Sequence, residues 1–187
     1  MFDNVKNSFL KFGNFSDEEL STIAKRLKNS DVKKDIFLIK EGQTCNHFYF
    51  IERGSFKHYS ITENGDEAII NLFAENEWMF DYKSLIAQKP SDSFIQAMED
   101  SHVFELSLWD MHELIKQSDS FFRVGHIFEV AVQNQDYQNN KISPEEKYAM
   151  LLASKPQIIQ KFPLKYIASY LGIAPETLSR IRRKIIS

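Results

Sequence analysis

The sequence has little or none of several features on which whole classes of protein depend. Its 187 residues include a single cysteine, Cys45, which excludes a disulfide framework, a cysteine zinc site and a four-cysteine iron–sulfur cluster built from these residues alone. No run approaches the ~18 apolar residues of a membrane span, and no GxGxxG or GKS/T loop is present. The amino end carries Asp3 early and lacks the apolar segment of a signal peptide. We therefore expect a cytoplasmic protein with no membrane contact.

The composition predicts a folded protein, and its charges are unevenly distributed. Hydrophobic residues make up 43% of the chain and aromatic residues 13%, enough for a sizeable core. Residues 1–140 hold 14 Lys and Arg against 23 Asp and Glu, a net charge of −9, whereas residues 141–187 hold 9 against 3, a net charge of +6. This asymmetry predicts that only the carboxyl-terminal end meets a polyanion.

A capping box marks the first predicted helix. Ser16 is followed three residues later by Glu19, and Phe15 and Leu20 supply the matching hydrophobic staple. The pattern predicts a helix over residues 17–27 whose role is packing.

Residues 36–108 have the pattern of an antiparallel β-domain. Six short runs rich in Ile, Phe, Tyr and Val are separated by turn signals, which is typical of a sandwich or barrel. Asn64 and Gly65 predict a hairpin, because both tolerate the positive φ angles of a type I′ turn. The runs do not alternate with helices, and this excludes a Rossmann-type sheet.

A long amphipathic helix is predicted after Asp119. Apolar residues recur at spacings of three and four, at Phe121, Val124, Phe128 and Ala131. Such a helix could pack on its own β-domain or pair with its copy in a second subunit. We favour the dimer, because a helix that links two domains has little surface of its own chain to cover.

The next predicted helix begins at Ser143 and Pro144, since proline is favoured at the first helical position. Tyr148, Leu151 and Leu152 are its expected core face. Pro156 is expected to end it.

The last 24 residues have the pattern of a helix–turn–helix. Ile167 and Leu171 mark the buried side of the first helix, Gly172 occupies the position of a positive-φ terminator, and Pro175 begins the second helix. The second helix carries a core stripe of Leu178, Ile181 and Ile185. Its opposite face, which we predict to be the DNA-binding face, offers Glu176, Thr177, Ser179, Arg180, Arg182, Arg183 and Lys184. Arginine can bind guanine through two parallel hydrogen bonds, and Glu can accept one from cytosine.

Three segments together resemble the Crp/Fnr transcription regulators: EGQTCNHFYFIERGSF, the hairpin around ENGDEA, and YIASYLGIAPETLSRIRRK. The resemblance implies an α+β fold with a β-roll sensor domain of the cyclic nucleotide-binding type (residues 1–115), a dimerisation helix (116–141) and a helix–turn–helix domain (142–187). It also implies a homodimer that reads a palindromic site in double-stranded DNA. RNA polymerase and a small-molecule effector of unknown identity are further partners that the family suggests.

The resemblance also suggests roles for residues of the second helix. Glu176 and Arg180 occupy the family's base-reading positions and Thr177 a phosphate-contacting one. Pro175 stands where the family usually has a third reading residue, an arginine. The family usually adds a β-hairpin wing after this helix, and the chain ends at Ser187, so we expect fewer phosphate contacts.

The expected ligand pocket departs from that of the cyclic AMP-binding members. Their Gly-Glu and Arg-Ser pairs correspond here to Phe80-Asp81 and, approximately, Ser91-Asp92. A carboxylate such as Asp92 beside a phosphate is repulsive, and burial increases the repulsion. We therefore expect no cyclic AMP binding in the usual mode and no cofactor.

Two alternative functions remain open from the sequence. The chain could be a ligand-binding β-roll module whose truncated helix–turn–helix no longer binds DNA. It could also be a β-barrel enzyme, although its five histidines are scattered and His47 has no His-x-His partner of the cupin type. We do not expect catalysis.

Overall fold

Two short helices precede the sheets. The structure, a computed structural model, describes residues 2–128 and 142–186. Its first helix, α1 (Asp3–Leu10), was not predicted, and α2 (Asp17–Ala24) ends three residues earlier than expected. The capping box is confirmed: the Glu19 backbone N–H donates to Ser16 Oγ at 3.2 Å, and the Ser16 N–H donates to Glu19 Oε2 at 2.7 Å.

Eight strands form two antiparallel four-stranded sheets, in the orders β1-β8-β3-β6 and β2-β7-β4-β5. The strands are β1 (Lys28–Val32), β2 (Phe37–Ile39), β3 (His47–Arg53), β4 (Phe56–Ile61), β5 (Glu67–Phe73), β6 (Trp78–Met79), β7 (Phe94–Ala97) and β8 (Ser101–Ser107). The six predicted runs are all strands, whereas β1 and β6 were missed. The predicted β-roll is therefore confirmed.

The hairpin between β4 and β5 is confirmed, but its turn type is not the expected one. The Thr62 N–H donates to the carbonyl of Asp66, and the Gly65 N–H donates to the carbonyl of Thr62, both at 2.9 Å. Gly65 has a φ of +85°, and Asn64 is not in the positive-φ region. A longer loop with a single left-handed residue replaces the type I′ turn, which needs two.

Three helical segments follow or interrupt the sheets: α3 (Tyr82–Ala87), α4 (Leu108–Gln117) and a 3-10 helix (Asp119–His126). The last of these occupies the start of the predicted amphipathic α-helix. Its three residues per turn place Phe121 and Val124 on one face, and both are buried in the core of their own β-roll. Residues 129–141, which include Ala131 and the expected end of the helix, lie outside the described residues.

The carboxyl-terminal part begins with α5 (Pro144–Ser154) and α6 (Pro156–Lys161). Tyr148 and Leu151 are buried as expected, but Leu152 is 41% exposed. One residue on a helix corresponds to a rotation of ~100°, so Leu152 turns away from the core, and Lys147 is buried instead.

The helix–turn–helix is confirmed as α7 (Leu164–Leu171) and α8 (Pro175–Ile186). Gly172 has a φ of +65°, and the N–H of Ile173 donates to the carbonyl of Ala168 at 3.0 Å. The N–H of Gly172 also donates to the carbonyl of Ser169 at 3.0 Å. This pair of hydrogen bonds ends a helix in a way that requires a left-handed residue, and glycine takes that conformation at no steric cost.

The helix–turn–helix unit packs on β5, the edge strand of its sheet. Tyr59, Ile69 and Leu72 of the β-roll belong to one apolar cluster with the carboxyl-terminal helices. The Ile69 N–H on the strand edge donates to Ser169 Oγ of α7 at 3.0 Å. The helical unit therefore covers the edge strand. Within the described residues, no helix is both long and apolar enough to cross a membrane.

Candidate functional site

The first candidate site is the outer face of α8. Leu178 is fully buried and Ile181 is 2% exposed, so they anchor this helix in the carboxyl-terminal core. The opposite face lies in solvent. Glu176, Arg180, Arg183 and Lys184 are exposed, and Thr177, Ser179 and Arg182 are half-buried. The structure thus brings the seven predicted residues together on one helix, and the two expected base-reading residues are among the four exposed ones.

A buried lysine supports the turn before this helix. Lys147 on α5 is 3% exposed, and its Nζ donates to the carbonyl oxygen of Leu171 at 3.1 Å. Leu171 is the last residue of α7, where helix carbonyl groups lack intrahelical partners and attract a cation. Sequence reasoning missed Lys147, because an isolated lysine beside a core position carries no signal of burial.

The lysines and arginines of the carboxyl-terminal end fall into two groups, one with partners inside the protein and one exposed to solvent. Lys155 and Lys161 pair with glutamates of the β-roll, and Lys147 is buried in the core. Three of these lysines are therefore paired or buried within the protein and are not available to a polyanion. The basic residues that α8 presents to solvent, together with Lys165, remain exposed and form a basic surface smaller than the whole set of carboxyl-terminal lysines and arginines.

The second candidate site is the predicted ligand pocket. Phe80 is 4% exposed, and its ring centroid lies 5.1 Å from that of Phe48 and 5.7 Å from that of Phe128. These rings form an aromatic cluster inside the β-roll. Phe80 therefore packs as a core residue.

Asp81 is the buried carboxylate of this region. It is 2% exposed, and its Oδ1 accepts a hydrogen bond from the Ser84 N–H at 3.2 Å, which caps α3. Its Oδ2 accepts from Ser91 Oγ at 2.5 Å and from Ser93 Oγ at 3.2 Å. The carboxylate is therefore surrounded by donors from the protein.

Asp92 does not lie in the pocket, contrary to the expectation from the sequence. It is exposed, whereas its neighbours Ser91 and Ser93 are buried. Successive side chains of an extended chain point to opposite sides, so placing the two serines inside directs Asp92 outward. Asp81 and Asp92 consequently do not form a carboxylate pair.

His58 completes the buried network and was missed. Its Nε2 lies 2.7 Å from Ser93 Oγ, and the residue is 7% exposed. Burial disfavours the charged imidazolium and lowers the pKa of His58 to about 4, although the nearby carboxylates of Asp81 and Asp92 oppose this shift. His58 is therefore neutral at pH 7. The network joins β4, α3 and the segment before β7 through hydrogen bonds within the protein.

Comparisons with known proteins agree with this architecture. Residues 30–118 match the family model described as the cyclic nucleotide-binding domain. Over 180 residues the chain is 27% identical to the anaerobic regulatory protein of Haemophilus influenzae, covering 88% of this chain and 68% of that protein. It is 28% identical over 182 residues to the fumarate and nitrate reduction regulatory protein of Escherichia coli K12, covering 88% and 70%.

Two solved structures share the fold at lower identity. FixK2 from Bradyrhizobium japonicum superposes with a TM-score of 0.65 at 15% identity, covering 85% of this chain and 84% of that one. The catabolite activator protein of Thermus thermophilus gives a TM-score of 0.58 at 16% identity, covering 94% and 85%. Residues 30–118 thus form a β-roll similar to the cyclic nucleotide-binding domain, followed by a helix–turn–helix. The chain is similar to regulators of the Crp/Fnr type over most of its length, and this similarity supports a role in transcription regulation.

Proposed function

We propose that the chain is a DNA-binding transcription regulator that acts as a homodimer and reads a palindromic site through α8. The carrying observation is that Glu176 and Arg180 are exposed on a helix whose other side is fixed in the core. The alternative of a ligand-binding module that no longer binds DNA would be favoured if these two residues faced inward or were blocked. Their exposure supports DNA binding.

Each of the seven residues on the outer face of α8 has a role in this proposal. Arg180 donates two hydrogen bonds to guanine, and Glu176 accepts one from cytosine N4. Thr177 and Ser179, near the helix amino end, contact phosphate oxygens. Arg182, Arg183 and Lys184 supply positive charge beside the DNA backbone.

The dimer brings two such helices into successive major grooves, about 34 Å apart. Residues 116–141 are proposed to form the dimerisation segment. Phe122 in this segment is 63% exposed in the single chain, and Trp109 on α4 is 69% exposed. Large exposed aromatic side chains are typical of surfaces that a partner buries. RNA polymerase and an effector remain proposed partners of this dimer.

The β-roll is proposed not to bind cyclic AMP in the usual mode. The positions expected to hold the cyclic phosphate carry the buried Phe80 ring and the hydrogen-bonded Asp81 carboxylate. A phosphate beside this carboxylate would be repelled in a poorly solvated site. Calorimetric titration with cyclic AMP should give no heat of binding, and a saturable 1:1 isotherm would contradict this part of the proposal.

The main test is DNA binding by the full chain. Duplexes selected from a randomised library should contain two inverted half-sites, and fluorescence anisotropy on a selected duplex should give an affinity that falls steeply between about 50 and about 200 mM salt. Selection of sites without inverted symmetry would contradict the dimer, and affinity independent of salt would contradict binding through phosphate contacts.

A further inference from the structure

Three glutamates of the β-roll lie beside the carboxyl-terminal helices, and each is held by a donor of its own domain. Glu75 Oε1 accepts from the Gly54 N–H at 3.1 Å. Glu77 Oε2 accepts from the Ala74 N–H at 2.8 Å. Glu99 Oε1 accepts from Ser55 Oγ at 2.8 Å. These carboxylates are therefore oriented before any partner reaches them.

Two lysines of the carboxyl-terminal unit reach these carboxylates. Lys155, at the junction of α5 and α6, places its Nζ 2.7 Å from Glu77 Oε1, and the two side chains are only 13% and 15% exposed. Lys161, the last residue of α6, pairs with Glu75 and lies 3.0 Å from Glu99 Oε1. Both lysines thus cross from one domain to the other.

These pairs differ from ordinary surface ion pairs. An exposed pair contributes little, because ordering two long side chains cancels most of the attraction. Here the carboxylates are already ordered, and the Lys155–Glu77 pair is largely shielded from water. Burial lowers the pKa of Lys161, but its hydrogen bonds to Glu75 and Glu99 outweigh this effect and raise it overall. Lys161 is therefore charged at neutral pH.

The docked position leaves the DNA-facing side of α8 free. The docking contacts come from α7, through Ser169 on the Ile69 N–H, and from Lys155 and Lys161. Arg180 on α8 is exposed in the same arrangement. Docking on the β-roll is thus compatible with contact between α8 and DNA.

We propose that Glu75, Glu77 and Glu99, together with Lys155 and Lys161, form an ionic clamp that fixes the orientation of the helix–turn–helix unit on the β-roll. In the dimer this orientation sets the distance between the two α8 helices and hence the half-site spacing that the protein accepts. The clamp residues are positioning residues. The consequence for half-site spacing rests on the proposed function, whereas the clamp itself does not.

The clamp predicts a specific defect when it is weakened. Binding to a single half-site needs only one α8 and should not change. Binding to two half-sites is tighter because both α8 helices of the dimer bind the DNA at once. This gain in affinity is lost when the distance between the two helices is no longer fixed. The protein should therefore discriminate less between a duplex with correct spacing and one with altered spacing.

Glu77→Gln and the double variant Glu75→Gln/Glu99→Gln remove the charges with little change of shape. Glu113→Gln is the matched control, because it breaks the Lys116–Glu113 pair, which lies within one helix. Anisotropy is measured on a half-site duplex, on the selected palindrome and on the palindrome with about half a helical turn inserted at its centre.

The ratio of affinities for the two palindromes should fall about tenfold in the clamp variants and remain unchanged in Glu113→Gln. An unchanged ratio, or an equal loss on the half-site duplex, would overturn the role in spacing. Lys155→Gln should lower the ratio as Glu77→Gln does, and the two changes combined should lower it no further than either alone; additive losses would overturn the pairing.

Hydrogen exchange without DNA separates the clamp from the proposed function. In Glu77→Gln the Ile69 N–H, which donates across the domain boundary, should exchange faster than in the wild-type chain, while amides of β3 and β8 should keep their protection. Equal exchange of Ile69 in both proteins would overturn the clamp. Faster exchange in a chain that binds no DNA would overturn the proposed function and leave the clamp standing.

Discussion

The ammonium group of Lys147 donates a hydrogen bond of 3.1 Å to the carbonyl oxygen of Leu171, directly before the turn that leads into α8. Lys147 is buried, so this carbonyl and the ammonium group satisfy each other in an environment with little water. Removal of either partner from such a bond leaves the other with an uncompensated desolvation cost. The contact couples α5 to the helix–turn–helix turn.

Lys147→Met should therefore destabilise the protein. The variant keeps a side chain of similar length but leaves the Leu171 carbonyl unpaired, and we expect a loss of about 1–3 kcal/mol in the free energy of unfolding. Urea denaturation followed by circular dichroism measures this change. Lys165→Met, at an exposed lysine on α7, is the control and should change the free energy by less than about 0.5 kcal/mol. Equal stability of the two variants would contradict the assigned role of Lys147.

The turn itself depends on the backbone of Gly172. Its φ is +65°, and a Cβ built there would have Lys147 Nζ at 3.9 Å as its only near neighbour. Space therefore permits a larger residue, and the cost of one is conformational. Gly172→Ala should lower the free energy of unfolding by about 1–2 kcal/mol, whereas Gly172→Asn should lose less, because asparagine tolerates the left-handed region. Thermal denaturation of both variants tests this order, and greater stability of the alanine variant would contradict it.

Local chemistry explains why parts of the fold were predictable. Ser16, Ser143 and Gly172 act on backbone groups within a few residues, so their patterns locate helix ends without knowledge of the fold. The enrichment of the central strands in β-branched and aromatic residues is likewise a local property. Exposure of Arg180 followed from the period of α8 alone.

The missed features depend on contacts distant in sequence. The polar strand β1 (KNSDV) forms because Lys28 to Val32 pair with β8, and its composition carries no strand signal. The inward direction of Asp81 and the outward direction of Asp92 depend on the register of the folded chain. The pairing of Lys155 with Glu77 joins residues from two domains, which no spacing rule reveals.

His58 should make stability depend on pH. Its pKa in the folded state is about 4 because burial disfavours the charged ring, whereas the unfolded chain has the ordinary value near 6.5. The unfolded state therefore binds a proton first as the pH falls. The contribution is fully present above pH ~6.5 and is lost progressively as the pH falls from there through about 4, on the order of 3 kcal/mol in total.

His58→Gln removes this titration and retains a group that can bond to Ser93. Its free energy of unfolding should fall less than that of the wild-type chain between pH 7 and pH 4.5, as measured by urea denaturation at each pH. The decrease in the free energy of unfolding that remains in the variant comes from protonation of carboxylates, which are the same in both proteins. Parallel pH profiles for the two proteins would show that His58 is not the group responsible.

Arg180 and Arg183 are both exposed on α8, and the proposed function gives them different roles. Arg180 is placed to read a base, so Arg180→Ala should reduce discrimination at one base pair of each half-site by about 1–3 kcal/mol. Arg183, whose Nε lies 3.4 Å from the Ser179 carbonyl, is expected to neutralise phosphate. Arg183→Ala should weaken binding to all sequences alike and reduce the salt dependence by about one unit of slope. Anisotropy on the selected duplex and on duplexes with single base-pair changes, at several salt concentrations, separates these effects. Equal losses of affinity on every duplex for Arg180→Ala would show that Arg180 contacts the DNA phosphates and does not read a base. Base reading would then have to come from Glu176 or another residue of α8.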